Sequence, residues 1–417
     1  MVELKDKYLA YLEQHRDDIV SYDALFVKPY QILRENYSDQ DLRIDGVFFS
    51  GADIADKLIS VLGEISPLSK VIDPCCGAGD LLLAYTRQLP KSETPMKTIS
   101  NWSDIIYGND INADLVAVTN LRLVMNAFFE CNKQYTIGEC IECWKKFSFP
   151  HLTISNALNL DMKEHNIVLL NPPYQQEKIS TKYSWGTGRT SMAAVFLYEL
   201  FKKNSQATFV AILPDVIRSG SRYQRLRTEL FPFNWDLSTI YGRFDKQTDV
   251  DVFIVSNKTE PVNNINLDEK KTSTISDHFD VHVGTIVPHR DPIVGETHLY
   301  LTAKNTPTGE ELQQFKDTLQ ATKKAFKGPF VIVKRTSSPS DKWRCAATVV
   351  NSDQYFYIEN HLIVLLPKDK TLETCQKASC FLKSEKCNDI VNSVIRCRHL
   401  TVSAIKNLPY SQEKKNE

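Results

Sequence analysis

Between Ser69 and Asn257 the chain alternates short β-branched or aliphatic runs with longer amphipathic stretches. The short runs are SKVID (69–73), IIYGNDI (105–111), LTISNAL (152–158), NIVLLN (166–171), ATFVAILP (207–214), LSTIYG (237–242) and VDVFIV (250–255), and each reads as a strand. The stretches 80–89, 112–129, 190–203 and 221–230 read as helices. Strands alternating with helices predict an α/β fold, with a mostly parallel sheet covered on both faces. Only a polar link from Arg243 to Asp249 separates the last two runs, so they should pair as an antiparallel hairpin at one edge. The expected sheet has six parallel strands and a reversed seventh.

Ahead of this region, residues 1–45 are helix-like and acidic, with apolar positions at Tyr8, Leu9, Leu12 and Ile19, and they predict a helical cap. Behind it, residues 257–277 are polar and aperiodic, as a linker is. VHVGTIVP, GPFVIVKR, CAATVV and YFYIENHLIVLLP then read as strands and LETCQKASCFLKSEKCNDIVNSVI as one or two helices, a second domain of α+β type. The expected domains are 1–45, 46–257 and 276–417. KSETPMKTISNWSD lengthens the interval from Asp73 to Asp110 and is expected to be a surface insertion.

Composition adds bounds. A chain of 417 residues that is 42% apolar and 24% charged is neither disordered nor fibrous, and has room for two to three domains. Its 50 basic and 51 acidic residues nearly cancel, so a polyanionic partner must be met by a local patch. The apolar runs from Ile167 and Leu362 are far shorter than the ~18–20 residues that span a bilayer. No membrane partner is expected. The first residues, MVELKDKYLAYLEQHRDD, lack the apolar core of a signal peptide, which predicts a cytoplasmic, bacterial-type protein. The 10 cysteines are then reduced thiols packed as small hydrophobes. Cys140 and Cys143, with Cys131 and His151 nearby, have partial zinc spacing, but no second CxxC completes it and no metal is expected.

Three segments carry chemistry. The strand ending at Asp73 runs into Pro74-Cys75-Cys76-Gly77-Ala78-Gly79 and then a helix. Glycines at such a turn let backbone approach a ligand at the carboxyl end of a sheet, where nucleotides bind. The segment is neither GxGxxG nor a phosphate loop, which weakens NAD and ATP readings. The next strand ends at Gly108-Asn109-Asp110-Ile111, where an acid can accept from both ribose hydroxyls. Read structurally, Gly77 and Gly79 are turn formers and Asp110 is a helix cap. Finally, Asn171-Pro172-Pro173-Tyr174 follows an apolar strand. Two prolines remove two backbone donors, and the Asn171 side-chain oxygen beside the Pro172 carbonyl makes a pair of acceptors for one amino group. Tyr174 can stack on the planar group bearing that amine.

DPCCGAGD, GNDI, NPPY and the upstream FFSGADIADKL resemble the S-adenosylmethionine-dependent DNA N6-adenine methyltransferases of the gamma arrangement, the TaqI-like family of restriction-modification systems. The resemblance covers residues 40–260 well and 276–410 more loosely, where RHLTVSAIKNLP is similar to the close of a recognition domain. It implies a Rossmann-like seven-stranded methyltransferase sheet followed by a C-terminal α+β target-recognition domain. It also implies a site-specific enzyme that methylates the N6 amine of an adenine flipped out of double-stranded DNA. The catalytic set is then Asn171, Pro172, Pro173 and Tyr174. S-adenosylmethionine is implied beside Phe49, Ser50, Asp73, Cys75, Gly77, Gly79 and Asn171, with Asp110 on the ribose, next to Ile111. Asn156, next to Ala157, falls at the family's acceptor for the adenine amine. Phe244 falls at the aromatic that packs, with Tyr174, on the target base; structurally it is an edge-strand core aromatic. Ser50-Gly51 stands where the family usually has Thr-Pro.

Residues 178–246 hold 11 Lys or Arg against 5 Asp or Glu. Lys182, Arg189, Arg218, Arg222 and Arg225 are candidate phosphate contacts, and solvated helix-face charges on the plainer reading. In the second domain Lys334, Arg335 and Arg344 are candidate readers, beside Lys342 and Trp343. Expected partners are double-stranded DNA and a cognate restriction endonuclease. The alternatives are methylation of cytosine N4, of protein glutamine or of RNA, or a catalytically silent DNA-binding subunit.

Overall fold

The computed structural model describes residues 3–38, 41–42, 51–179, 182–235, 238–244, 250–258, 273–396 and 398–410. The chain forms two compact units, Met1–Arg218 with Arg222–Glu260, and Ser219–Ser221 with Pro261–Glu417. The Arg243–Asp249 link lies outside the described residues from 245 onward, as do residues 259–272 of the expected linker.

The first unit opens with α1 (Lys5–Gln14), a π-helical turn (Asp23–Val27), α2 (Lys28–Asn36) and α3 (Gly51–Leu62). There follow β1 (Val71–Asp73), α4 (Asp80–Thr86), α5 (Pro95–Ser103), β2 (Ile106–Asp110), α6 (Ala113–Phe129), α7 (Ile137–Trp144), β3 (Leu152–Ile154) and β4 (Ile167–Leu170). A small hairpin of β5 (Gln176–Lys178) and β6 (Arg189–Ser191) precedes α8 (Met192–Lys203), β7 (Thr208–Pro214), β8 (Thr239–Arg243) and β9 (Asp251–Ser256). The sheet runs β3-β2-β1-β4-β7-β9-β8. β1 is parallel to β2 and β4, β2 to β3, and β4 to β7, whereas β9 is antiparallel to both β7 and β8. The seven-stranded sheet with one reversed strand is thus present, the reversed strand lying one in from the edge. β4 is buried along its whole length, as a parallel strand covered on both faces must be.

Successive strands β1, β2 and β3 lead to one side of β1, and β4 returns on its other side. This reversal is the switch point outside which α/β sheets open their ligand crevice. Asp73 and Asn171 leave the sheet at that end from neighbouring strands.

α5 corrects one expectation. The stretch expected to be a surface insertion is a helix whose Ile99 and Trp102 are 0% and 1% exposed, within the core that the sheet shares. Thr94 caps it by accepting from the Lys97 amide at 3.4 Å, and Pro95 occupies its first turn. The N-terminal helices join the same core: the Tyr8 hydroxyl, buried against α6, donates to the Ala24 carbonyl at 2.8 Å. Asp114, in the first turn of α6, accepts from the Lys5 amide at 2.7 Å, placing a carboxylate at the positive end of α1.

The second unit contains a five-stranded and a four-stranded sheet. β10 (Phe279–Val283), β11 (Glu296–Leu301), β12 (Glu311–Leu312), β13 (Thr318–Ala321), β14 (Phe326–Lys327), β15 (Phe330–Lys334), β16 (Ala347–Val350), β17 (Tyr355–Ile358) and β18 (Leu362–Pro367) pair in the orders β10-β18-β15-β16-β12 and β13-β11-β17-β14. α9 (Leu372–Leu382) and α10 (Glu385–Val394) cover one face through Cys375, Leu382, Cys387 and Val391, packed on Val331, Val333, Ile363 and Leu365. No described helix of either unit is long and apolar enough to cross a membrane.

Candidate active site

The glycine turn is held from three sides. Gly77 and Gly79 have φ of 51° and 90°, and a Cβ on Gly79 would meet Thr119 of α6 at 2.9 Å. Only glycine fits both the dihedral and the space. The Thr119 hydroxyl in turn donates to the Gly77 carbonyl at 2.8 Å. Asp73, 1% exposed, accepts from the Cys75 amide at 3.1 Å. Burial pushes its carboxyl well above the usual range, the Cys75 N–H opposes this, and the charges of Asp110 and Asp80 add to it. Burial also raises the thiol pKa values of Cys75 and Cys76, so both remain protonated.

Asp110 receives the Gly77 amide on one oxygen and the Asn112 amide on the other, both at 2.9 Å. Its carboxyl is raised by burial, against the pull of those amides and that of Ile111. Each oxygen keeps a second lone pair, so the carboxylate can still accept from a diol. Ile111 beside it is exposed. Asn156 is exposed and caps a short turn by accepting from the Leu158 amide at 2.9 Å, with Ala157 buried behind it. Phe49 and Ser50 lie outside the described residues.

At the end of β4 the Tyr174 hydroxyl donates to Asn171 Oδ1 at 2.7 Å. Burial raises the Tyr174 pKa well above its ordinary value, which keeps the hydroxyl a donor and fixes where the amide oxygen lies. Tyr174 and Phe244 meet edge to face, with centroids 5.9 Å apart at 82°. Sequence reasoning expected both rings to stack on one flat group; here their planes are nearly perpendicular, so the two do not form the walls of a parallel slot.

Two residues of this region escaped the sequence reading. Asn109, 1% exposed, donates to the carbonyls of Pro74 and Ser155, both at 3.0 Å, and accepts from the hydroxyls of Thr153 and Ser155. It ties together the carboxyl ends of β1, β2 and β3. Arg122, also 1% exposed, donates Nε to the Leu25 carbonyl at 2.9 Å, and Nη1 to the Ala78 carbonyl at 2.6 Å and to Asp80 at 2.8 Å. The available signal for Arg122 was one charge inside the apolar helix AVTNLRLVMNAFF.

The basic candidates divide. Arg225 is exposed and makes no hydrogen bond or ion pair among the described residues. Lys182 pairs with Glu199 at 2.7 Å, Arg189 reaches the Gln176 carbonyl at 2.8 Å and Arg222 reaches that of Thr187 at 2.5 Å, all three from exposed positions. Arg218 is a correction: its side chain is 13% exposed and gives Nε and Nη2 to buried Asp215 at 2.9 and 2.6 Å. Arg344 is a second correction. It is wholly buried and donates to Ser337 and to the Ile395 carbonyl, so it braces the second unit instead of facing a partner. Lys334 is half-buried, and so is Arg335, which donates to the Asn360 carbonyl at 2.9 Å.

Residues 21–213 match the sequence model of a family described as N-6 DNA Methylase. The cofactor this match implies is S-adenosylmethionine, and the glycine turn with Asp110 suits a nucleoside carrying no pyrophosphate. No curated protein matches the chain. Among solved structures, a modification subunit of a putative type I restriction enzyme from Vibrio vulnificus YJ016 is 17% identical, with a TM-score of 0.38 over 55% of this chain and 48% of that one. The type IIL restriction-modification enzyme MmeI, solved in complex with DNA, is 11% identical, with a TM-score of 0.47 over 99% of this chain and 67% of that one. The chain thus spans about half the length of the Vibrio subunit.

Proposed function

We propose that the chain is a site-specific DNA methyltransferase of the gamma arrangement, which transfers a methyl group from S-adenosylmethionine to adenine N6 as the modification enzyme of a restriction-modification system. The observation that carries this reading is the Asn171-Pro172-Pro173-Tyr174 corner, set at the carboxyl end of β4 next to the strand that bears the glycine turn.

An aromatic amine is a poor nucleophile because its lone pair is shared with its ring. Asn171 Oδ1 and the Pro172 carbonyl take its two hydrogens, and this localises the pair and aims it. The Tyr174 hydroxyl holds Oδ1 in place. Bound S-adenosylmethionine supplies a methyl group activated by its sulfonium. Orientation by Asn171 and Pro172 is then the main demand on the chain, and no general base is required. A base inside a duplex does not reach such a corner, so the adenine is rotated out and packs against Tyr174 and Phe244. Arg225, Arg222, Arg189 and Lys182 are exposed donors for phosphate, and the half-buried Lys334 and Arg335 are the candidate base or backbone readers of the second unit. A cognate endonuclease is the partner this role implies.

The test is incubation with labelled cofactor and DNA, followed by digestion to nucleosides. The label should appear in N6-methyladenine. Asn171→Ala should lower transfer by about a hundredfold or more while S-adenosylhomocysteine binding stays measurable. Label on cytosine N4, or full turnover by the variant, would overturn the reading.

A further inference from the structure

A cavity of about 330 Å³ lies on the α4 side of the glycine turn. Its walls are Tyr22, Phe26 and Tyr30 of the N-terminal segment, Gly51 and Asp53 of α3, Ala78 and Asp80 of the turn, and Tyr241 and Phe244 of β8 and its end, with Arg122 among them. The arginine is an unusual lining group. It is 1% exposed, and its Nε and Nη1 are committed to Leu25, Ala78 and Asp80. Nη2 has no hydrogen-bond partner among the described residues. Asp80 spends its second oxygen on the Gly51 amide at 3.0 Å. The Arg122 guanidinium therefore offers one planar pair of N–H donors at the wall of an aromatic cavity, and Nη2, which is not fully buried, reaches the open space of the cavity.

The position says what would meet them. Gly77 touches Asp110, the acid assigned to a ribose, whereas Ala78 and Asp80, one and three residues on, line the cavity. A nucleoside held at Asp110 with a chain extending from its 5′ carbon would follow the turn into this space. Planar N–H pairs match carboxylates. Asp53, on the α3 wall, complements an ammonium group.

Building on the methyltransferase reading, we propose that Arg122 receives the carboxylate at the amino-acid end of the sulfonium cofactor, and so selects the complete cofactor over adenosine thioethers that lack this group. Because the same guanidinium grips Leu25, filling the site also braces the N-terminal segment over the turn.

The experiment is a calorimetric titration of the full chain with S-adenosylhomocysteine and with its decarboxylated analogue, repeated on Arg122→Lys and Arg122→Met. The unmodified chain should bind the decarboxylated compound about tenfold to a hundredfold more weakly. In Arg122→Met this ratio should collapse to about twofold, since the partner that read the carboxylate is gone. Arg122→Lys should recover part of it, a pattern that a merely structural arginine would not produce. Equal binding of the two ligands by the unmodified chain overturns the inference without any variant, and so does an undiminished ratio in Arg122→Met. Both of those results leave the methyltransferase reading standing. Failure of the unmodified chain to bind S-adenosylhomocysteine at all defeats that reading, and this inference with it.

Discussion

A buried acid at the end of a strand gives the site its pH signature. Burial lifts the native pKa of Asp73 above the unfolded value of about 3.9. Between the two values the native chain keeps a proton that the unfolded chain has released, so this residue's contribution to stability falls as pH rises. The penalty is absent below the unfolded pKa and complete above the native one. Asparagine does not titrate, so the stability of Asp73→Asn relative to the unmodified chain should climb from about pH 4 upward. Urea titrations across pH 4–8 check this, and a flat difference contradicts it. Asn109 belongs to the same scale: one amide satisfies two carbonyls and two hydroxyls, so three strand ends keep one geometry.

Among the elements, α5 joins the core of the sheet through Ile99 and Trp102. Trp102 is 1% exposed, and its removal leaves a void that neighbours fill poorly. Trp102→Ala should cost about 3–5 kcal/mol, read as a lower denaturation midpoint at unchanged slope. The sequence held the signs of this helix: Thr94 before Pro95 is a start signal, and Pro95, Thr98, Ile99 and Trp102 recur at helical spacing. A polar composition hid them. The strands were easier to read, because IVLL and FVAILP are apolar throughout and a sheet covered on both faces leaves little choice of face. β5 and β6 were illegible, being three-residue polar strands, QEK and RTS, with neither alternation nor an apolar run. Charge was legible in amount but not in direction. Arg218 and Arg344 look like Arg225 in sequence, and only packing shows that the first two point into protein. Arg122 stayed hidden because its partners, Leu25 and Ala78, are backbone carbonyls far away in the chain.

The whole molecule carries separate cores. The apolar clusters of the second unit, from Ile275 to Tyr410, share no residue with the core around the seven-stranded sheet. A fragment of residues 273–410 should therefore fold alone and melt in one cooperative step by circular dichroism. A broad, non-cooperative melt would show that it depends on the rest of the chain.

β9 follows β8 in the chain yet lies between β8 and β7. An emerging polypeptide that has reached only Arg243 has nothing to zip β8 onto, and the outermost ribbon waits for its own successor. Tyr241 and Phe244, which ride on that ribbon, are consequently the final stones laid in their wall and the earliest to work loose. In deuterated buffer the Ile240 amide should trade its proton well before that of Ile254, which is clasped between two neighbours.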